Sequence, residues 1–311
     1  MNKIRNQMNK QVISVAILCF LSTVLDSCNN KPQEMKTTEV EIQGHRGARG
    51  LMPENTIPAF LEALKIGAHT LELDLAVTKD KELLVSHEPY MKSSYCLDPE
   101  GDEISQEAER SNNIYQMTYQ EVKSFDCGTK INNGFPDQQK FKVNKPLFKD
   151  LVQAVNVYLK EKKGQQVKYN IEIKSSPNED NVFHPAPPEF SDLVYDFIQE
   201  NLDPNWLNVQ SFDFRILQYF HEKYPEIELA VLIGNQKSIE DNLKELGFKP
   251  EIYSCHYKLL SKEKVEFLHE QGMKVIPWTI NEIDDMNKVI AMGVDGIITD
   301  YPDRAMQITN K

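Results

Sequence analysis

Thr70-Leu71-Glu72-Leu73-Asp74-Leu75-Ala76-Val77 alternates apolar and carboxylate side chains. Successive side chains of a strand point to opposite faces, so the leucines share one face and Glu72 and Asp74 the other. Two like charges side by side in a covered strand are costly unless a cation neutralises them, whereas a solvated edge strand needs no such partner. The pattern recurs at Ile171-Glu172-Ile173-Lys174, where Glu172 and Lys174 share the inward face and the isoleucines face covering helices. Three carboxylates with no cysteine nearby suit one hard divalent cation, Mg2+ or Ca2+, more than zinc. A buried ion pair between Glu172 and Lys174 is the alternative for the second strand.

Working outward from these strands, short apolar runs alternate with amphipathic segments. Strands are expected near Val40–Gly44, Thr70–Val77, Leu83–His87, Val167–Lys174, Leu207–Ser211, Glu228–Ile233, Glu251–Ser254, Lys274–Trp278 and Gly296–Thr299. Helices are expected at Thr56–Lys65, Leu147–Glu161, Phe190–Asn201, Asp213–Tyr224, Ser238–Leu246, Ser261–Gln271 and Ile283–Met292. This alternation is the pattern of an α/β (β/α)8 TIM barrel. An open doubly wound sheet is the rival, but no Gly-x-Gly-x-x-Gly turn follows the first strand. Only Thr78–Glu82 separates the second and third strands, too little for a parallel crossover, so these two should form a hairpin. The weakly periodic stretch 88–145 reads as an insertion over one end of the barrel.

The 311 residues are 40% hydrophobic and carry 35 basic against 47 acidic side chains, a net charge of −12. That balance excludes a nucleic-acid surface, which needs a basic footprint. Lys3, Arg5 and Lys10 precede the apolar run Val12–Leu25, a signal-peptide layout too short for a membrane-spanning helix. Leu25-Asp26-Ser27-Cys28 resembles a lipobox, with Asp26 as its departure, and a soluble secreted protein cut nearby is the alternative. Residues 1–28 are thus a leader, 29–39 a polar tether and 40–311 the barrel. The expected location is the periplasm or the outer membrane, with membrane contact through the lipid. Cys96, Cys127 and Cys255 allow one disulfide at most.

His45 and His87 close apolar strands at the end where barrel active sites form. Beside an acidic cluster they suggest a general acid and a general base, since imidazole titrates near neutrality. Arg46 adds a guanidinium that can grip phosphate oxygens. His69, His184, His221, His256 and His269 lack that context, His184 being the least settled because it sits on a Pro-rich loop after the fourth strand.

In order along the chain come Gly44-His45-Arg46-Gly47, Pro53-Glu54-Asn55-Thr56, Glu72-Leu73-Asp74, Thr78-Lys79-Asp80 leading to Val85-Ser86-His87, Ile171-Glu172-Ile173-Lys174, Ser211-Phe212, Trp278-Thr279-Ile280-Asn281 and Asp295-Gly296-Ile297-Ile298-Thr299-Asp300-Tyr301-Pro302. With these blocks the chain resembles the glycerophosphodiester phosphodiesterase family. The resemblance implies a phosphatidylinositol-phospholipase-C-like barrel that hydrolyses a small-molecule glycerophosphodiester to glycerol phosphate and an alcohol. It implies His45 and His87 as acid and base, and Glu72, Asp74 and Glu172 as metal ligands. It also implies that Glu54 positions metal or glycerol, that Arg46 and Lys174 face the phosphate, and that Trp278 forms an apolar wall beside the glycerol.

The family usually follows its second histidine with Asp and a Leu-x-Arg segment, where this chain has Glu88-Pro89-Tyr90-Met91. That departure leaves the alcohol open. A phospholipase C or D acting on intact lipid would need an exposed apolar rim, for which Tyr90, Met91, Tyr95, Ile114, Tyr115 and Met117 are candidates. A non-catalytic surface lipoprotein is the other rival, opposed by the retained histidines and carboxylates.

Overall fold

Residues 40–162 and 166–309 are described by a computed structural model. The leader and tether, with the expectations of export and lipidation on them, lie outside the described residues. The strands are β1 Glu41–His45, β2 Thr70–Val77, β3 Leu83–Val85, β4 Lys168–Ile173, β5 Leu207–Ser211, β6 Glu228–Ile233, β7 Ile252–Cys255, β8 Lys274–Val275 and β9 Gly296–Thr299. The helices are α1 Ile57–Ile66, α2 Tyr119–Val122, α3 Phe148–Glu161, α4 Pro187–Asn201, α5 Phe214–Lys223, α6 Ile239–Leu246, α7 Lys262–Glu270, α8 Ile283–Ile290 and α9 Pro302–Thr309.

Eight parallel strands run in the order β8-β7-β6-β5-β4-β2-β1-β9. β3 pairs antiparallel with β2, Leu75 opposite Val85, as the short connection requires. The ring is nearly closed by backbone bonds beside β8: Asp295 N–H donates to Val275 O at 3.0 Å and Ile298 N–H to Pro277 O at 2.9 Å. β8 is shorter than its apolar run because Pro277 has no N–H to give to the ladder. Helix α9 lies beyond the expected set and begins at Pro302, a residue suited to a first helical turn.

Outward side chains such as Ile42, Leu71, Leu73, Ile171 and Val209 pack with Phe60, Phe148, Phe190 and Phe220 of the covering helices, all fully buried. Each such phenylalanine stabilises the fold by about 1.5–3 kcal/mol. The barrel interior has two halves. Ala230, Ile252, Ile276 and Ile298 form a small apolar cluster against Trp278. Opposite it, Asn170 donates to Gln43 (2.7 Å) and Gln210 (3.1 Å), Asn208 donates to Asn170 (2.6 Å), and Gln210 donates to Glu72 (2.8 Å). Buried amides must find partners, and here the chain of partners ends on a carboxylate of the acidic cluster.

Between β3 and α3 the chain builds its own core around Met91, Tyr95, Cys96, Ile114, Val122, Phe125 and Cys127, against Ala76 and Leu84 of the hairpin. Cys96 and Cys127 are disulfide-bonded, and Cys255 is a buried free thiol. This core takes up half of the suggested apolar rim: Met91, Tyr95 and Ile114 are turned inward, whereas Met117, Tyr115 and Tyr90 are half-buried, Met117 against the same cluster, Tyr115 against the main core and Tyr90 edge-on to Phe183.

Candidate active site

His45 ends β1, Glu72 and Asp74 come from β2, Glu172 from β4, and His87 follows β3. All lie toward the carboxyl ends of the barrel strands, the end that carries active sites in this architecture. A cavity of about 170 Å³ is lined by His45, Arg46, Glu72, His87, Glu172 and Trp278, among others. Asp74, Glu54 and Lys174 pair with residues of this lining, the first two with Arg46 and the third with Glu172.

The turn after β1 is tightly constrained. A Cβ on Gly44 would sit 2.7 Å from Gly47 O, and Gly47 has φ +85° with the Ala59 backbone 2.6 Å from where its Cβ would be. Arg46 and Asn55 both hold left-handed backbone, with φ of 53° and 54°. For residues other than glycine this conformation is strained and clusters at functional sites. It turns Arg46 N–H onto Glu72 Oε2 at 2.9 Å and lets Asn55 Nδ2 donate to Asp74 Oδ2 at 2.8 Å. The Arg46 guanidinium donates to Glu54 Oε1 at 2.7 Å and lies 3.4 Å from Asp74. Glu54 also lies 3.6 Å from Arg49, so its carboxylate is taken up by two arginines.

Glu72, Asp74 and Glu172 are buried, and one carboxylate oxygen from each falls within 4.8 Å of the others. Burial and mutual repulsion raise the Glu72 pKa well above the ordinary range, and burial raises that of Glu172. For Asp74 burial acts the same way, but His87, Arg46, Lys174 and Asn55 outweigh it and lower the pKa. Asp74 Oδ1 is buried and makes no hydrogen bond among the described residues, with Lys174 Nζ 3.8 Å away. An orphaned carboxylate oxygen inside an all-oxygen donor set fits a hard cation. Lys174 Nζ is also 2.6 Å from Glu172 Oε1, so the ion pair weighed as an alternative coexists with the cluster.

Each histidine is held through Nδ1. His45 Nδ1 lies 2.6 Å from Asp300 Oδ1. Asp300 also receives Arg49 Nε (2.7 Å), Arg49 Nη2 (3.0 Å) and Asn281 Nδ2 (2.7 Å). His87 Nδ1 lies 3.0 Å from Glu88 Oε1. A carboxylate can only accept, so both rings carry hydrogen on Nδ1 and turn Nε2 to the cavity. Burial, reinforced by Arg49 and Arg46 and opposed by Asp300, pushes the His45 pKa down to about 4. Asp300 is itself held well below the carboxylate range by His45 and Arg49 against the effect of burial.

Trp278 donates Nε1–H to Ser254 O at 3.0 Å and meets Phe212 edge-on, ring centroids 5.4 Å apart. Phe212 is 44% exposed, which gives the mouth an apolar lip. The other histidines do structural work. His184 is buried, accepts from Ser176 N–H at 3.0 Å and turns Nδ1 to Pro185 O at 2.8 Å, bracing its loop. His69 accepts from Ile42 N–H, His221 stacks on Phe248, His256 caps a short turn and His269 pairs with Asp295. The sequence reading gave no role to Asp300, Asn281, Arg49, Asn55 or Gln210, and treated Glu88 only as a departure. Asp300, Asn281 and Asn55 stood inside the quoted blocks, which was the available signal.

Residues 45–304 match the glycerophosphoryl diester phosphodiesterase family. A glycerophosphodiester phosphodiesterase of Bacillus altitudinis is 29% identical over 86% of this chain and 97% of its own length. A solved structure from Silicibacter pomeroyi DSS-3 superposes with a TM-score of 0.78 at 27% identity, covering 88% of this chain and 94% of that one. A phosphodiesterase of Oleispira antarctica, solved with the product sn-glycerol-3-phosphate, superposes at 0.67 with 20% identity, over 87% and 96% of the two chains.

Proposed function

This chain belongs to the glycerophosphoryl diester phosphodiesterase family, and we propose that it hydrolyses glycerophosphodiesters to glycerol 3-phosphate and an alcohol. The observation that carries the reading is the pair of Nδ1-anchored histidines flanking a buried acidic cluster in one cavity. The Oleispira antarctica neighbour, bound to glycerol 3-phosphate, supports it.

A phosphodiester repels nucleophiles by its charge, and its alkoxide leaves poorly unless protonated. Held by Glu72, Asp74 and Glu172, one divalent cation, Mg2+ or Ca2+, would supply Lewis-acid charge beside the phosphate. Arg46 and Lys174 add fixed positive charge on the phosphate side, and Trp278 with Phe212 gives the glycerol an apolar wall. His45, held neutral, takes the proton of the attacking glycerol hydroxyl through Nε2, and His87 protonates the departing alcohol oxygen. The cyclic phosphate so formed is opened by water with the two roles exchanged. Glu54 acts by clamping Arg46. Incubating the protein with deacylated glycerophosphodiesters and with intact lipids, and following phosphomonoester release, tests the assignment. Release confined to the deacylated set is expected; release only from intact lipid, or none, overturns it.

The layout proposed for the whole chain is an export leader at 1–28, a tether at 29–39 and a barrel at 40–311 with 88–145 inserted over its active end. Lipid on Cys28 would tether it in the periplasm or at the outer membrane. The Cys96–Cys127 disulfide supports export, because such bonds persist in oxidising compartments. Mass spectrometry of the mature N-terminus should find an acylated Cys28. A cleaved, lipid-free terminus rejects the anchor, and a chain starting at Met1 rejects export.

A further inference from the structure

Behind His87 lies a buried polar line that the acid–base scheme does not use. Glu88 presents Oε1 to His87 Nδ1 at 3.0 Å and accepts the Tyr95 hydroxyl on Oε2 at 2.7 Å. Tyr95 in turn accepts from Lys145 Nζ at 3.4 Å, and the ammonium sits 5.1 Å from the Tyr95 ring centroid. Tyr95 and Lys145 are both buried, at 7% and 2% exposure. An ammonium can only donate, so Tyr95 must spend its one hydrogen on Glu88. Both Glu88 oxygens are then occupied from fixed directions, which stops the carboxylate from rotating and fixes the ring and tautomer of His87.

The three segments are also tied together. Cys96, the neighbour of Tyr95, is disulfide-bonded to Cys127. Cys127 N–H donates to Val143 O at 2.8 Å, two residues before Lys145, while Leu97 N–H and Asp126 O bond at 2.7 Å. A buried lysine is expensive, and burial does push the Lys145 pKa down. Its retention beside a tyrosine that points at the partner of His87 calls for a role.

We infer that Lys145 and Tyr95 are positioning residues that act through Glu88 to hold His87 in its working orientation, with the Cys96–Cys127 bridge joining their segments. This rests on the phosphodiesterase reading above and adds to it a source of catalytic precision in residues that line no part of the cavity.

The test compares steady-state hydrolysis of glycerophosphocholine by metal-loaded wild type, Tyr95→Phe, Glu88→Gln, the double variant of these two, and His87→Ala. Tyr95→Phe removes one hydrogen bond to a charged group, so kcat should fall about 10-fold to 100-fold with KM within about twofold. Because Tyr95 acts only through Glu88, the double variant should be no slower than Glu88→Gln alone. Wild-type kcat in Tyr95→Phe, or losses that multiply in the double variant, overturns the inference. Should Tyr95→Phe fail to fold because Lys145 is orphaned, the Tyr95→Phe/Lys145→Met pair removes the stranded cation and takes its place. Ring-nitrogen NMR of His87 reads the same chain without turnover: wild type should show hydrogen on Nδ1 throughout, and the Tyr95 variant only in part. If wild type hydrolyses nothing, the function fails on the first assay, and unchanged NMR signals separately sink the positioning chain.

Discussion

His45 Nδ1 and Asp300 Oδ1 are 2.6 Å apart although 255 positions separate them in the chain. The contact exists because β1 pairs with β9, Gly44 opposite Thr299, which brings the residue after each of these two, His45 and Asp300, to the same place. Asp300 then fixes the tautomer of His45 as the carboxylate of a serine-protease triad fixes its histidine.

Asp300→Asn should therefore lower kcat by about 10²–10⁴, since an amide can hold either tautomer. Asp300 raises the His45 pKa against burial, so its removal should lower that pKa further. Breaking the buried pair also strands Arg49, and a stability loss of roughly 3–5 kcal/mol is expected by denaturant titration. Wild-type kcat in the folded variant would count against the assignment.

His45→Ala and His87→Ala should each cost about 10²–10⁴ in turnover while thermal melts stay near wild type, because each removes one proton transfer. Single-turnover assays with trapping of a cyclic glycerol phosphate distinguish attack by the glycerol hydroxyl from direct attack by water.

Metal dependence has two readouts. Exhaustive chelation should abolish turnover, and re-adding Mg2+ or Ca2+ at about 100 times its Kd should stabilise the fold by about 2.7 kcal/mol. Glu72→Gln should abolish that stabilisation yet make the metal-free protein more stable, since it relieves the repulsion among buried carboxylates. Full activity after verified metal removal would contradict the site.

The His45 imidazole should stay neutral well into acid. An unperturbed histidine is mostly charged by about pH 5, whereas His45, with its pKa down to about 4, should not be. The sign follows from burial favouring the uncharged form. NMR titration of the metal-free protein between about pH 7.5 and pH 5 should show its ring signals unmoved, and a midpoint near the usual histidine value would refute the burial argument.

Reduction of Cys96–Cys127, which closes a loop with a sequence separation of 31, should cost about 3–4 kcal/mol by the chain-entropy account. Denaturant melts with and without reductant measure it. An unchanged midpoint would mean that the surrounding packing alone holds the loop.

The strands and the acidic cluster were legible because their signals are local. Side-chain alternation in Thr70–Val77 and Lys168–Ile173 gives inward and outward faces from a few consecutive residues, and the five residues Thr78–Glu82 alone force the hairpin. The partners of the histidines were less legible for different reasons. Asp300 reaches His45 only once the barrel closes, and Glu88 shows its use only after Tyr95 has turned inward behind it. The cysteine count limited the disulfides to one, but choosing Cys96 with Cys127 required the fold of the segment between β3 and α3. Helix α9 was hidden because its first residue, Pro302, stood at the end of a motif read for chemistry.

Pairing of the first strand with the last also sets a clock on activity. A chain is made from its amino end at about 5–20 residues per second, so the 255 positions between His45 and Asp300 correspond to roughly 13–50 s. Throughout that interval His45 lacks the carboxylate that orients it, and for about the first half of it Glu72 and Asp74 wait for Glu172. An unfinished polypeptide is therefore a silent hydrolase: the cell makes the enzyme, and threads it anywhere it must go, without a working site until the final turns of chain are in hand.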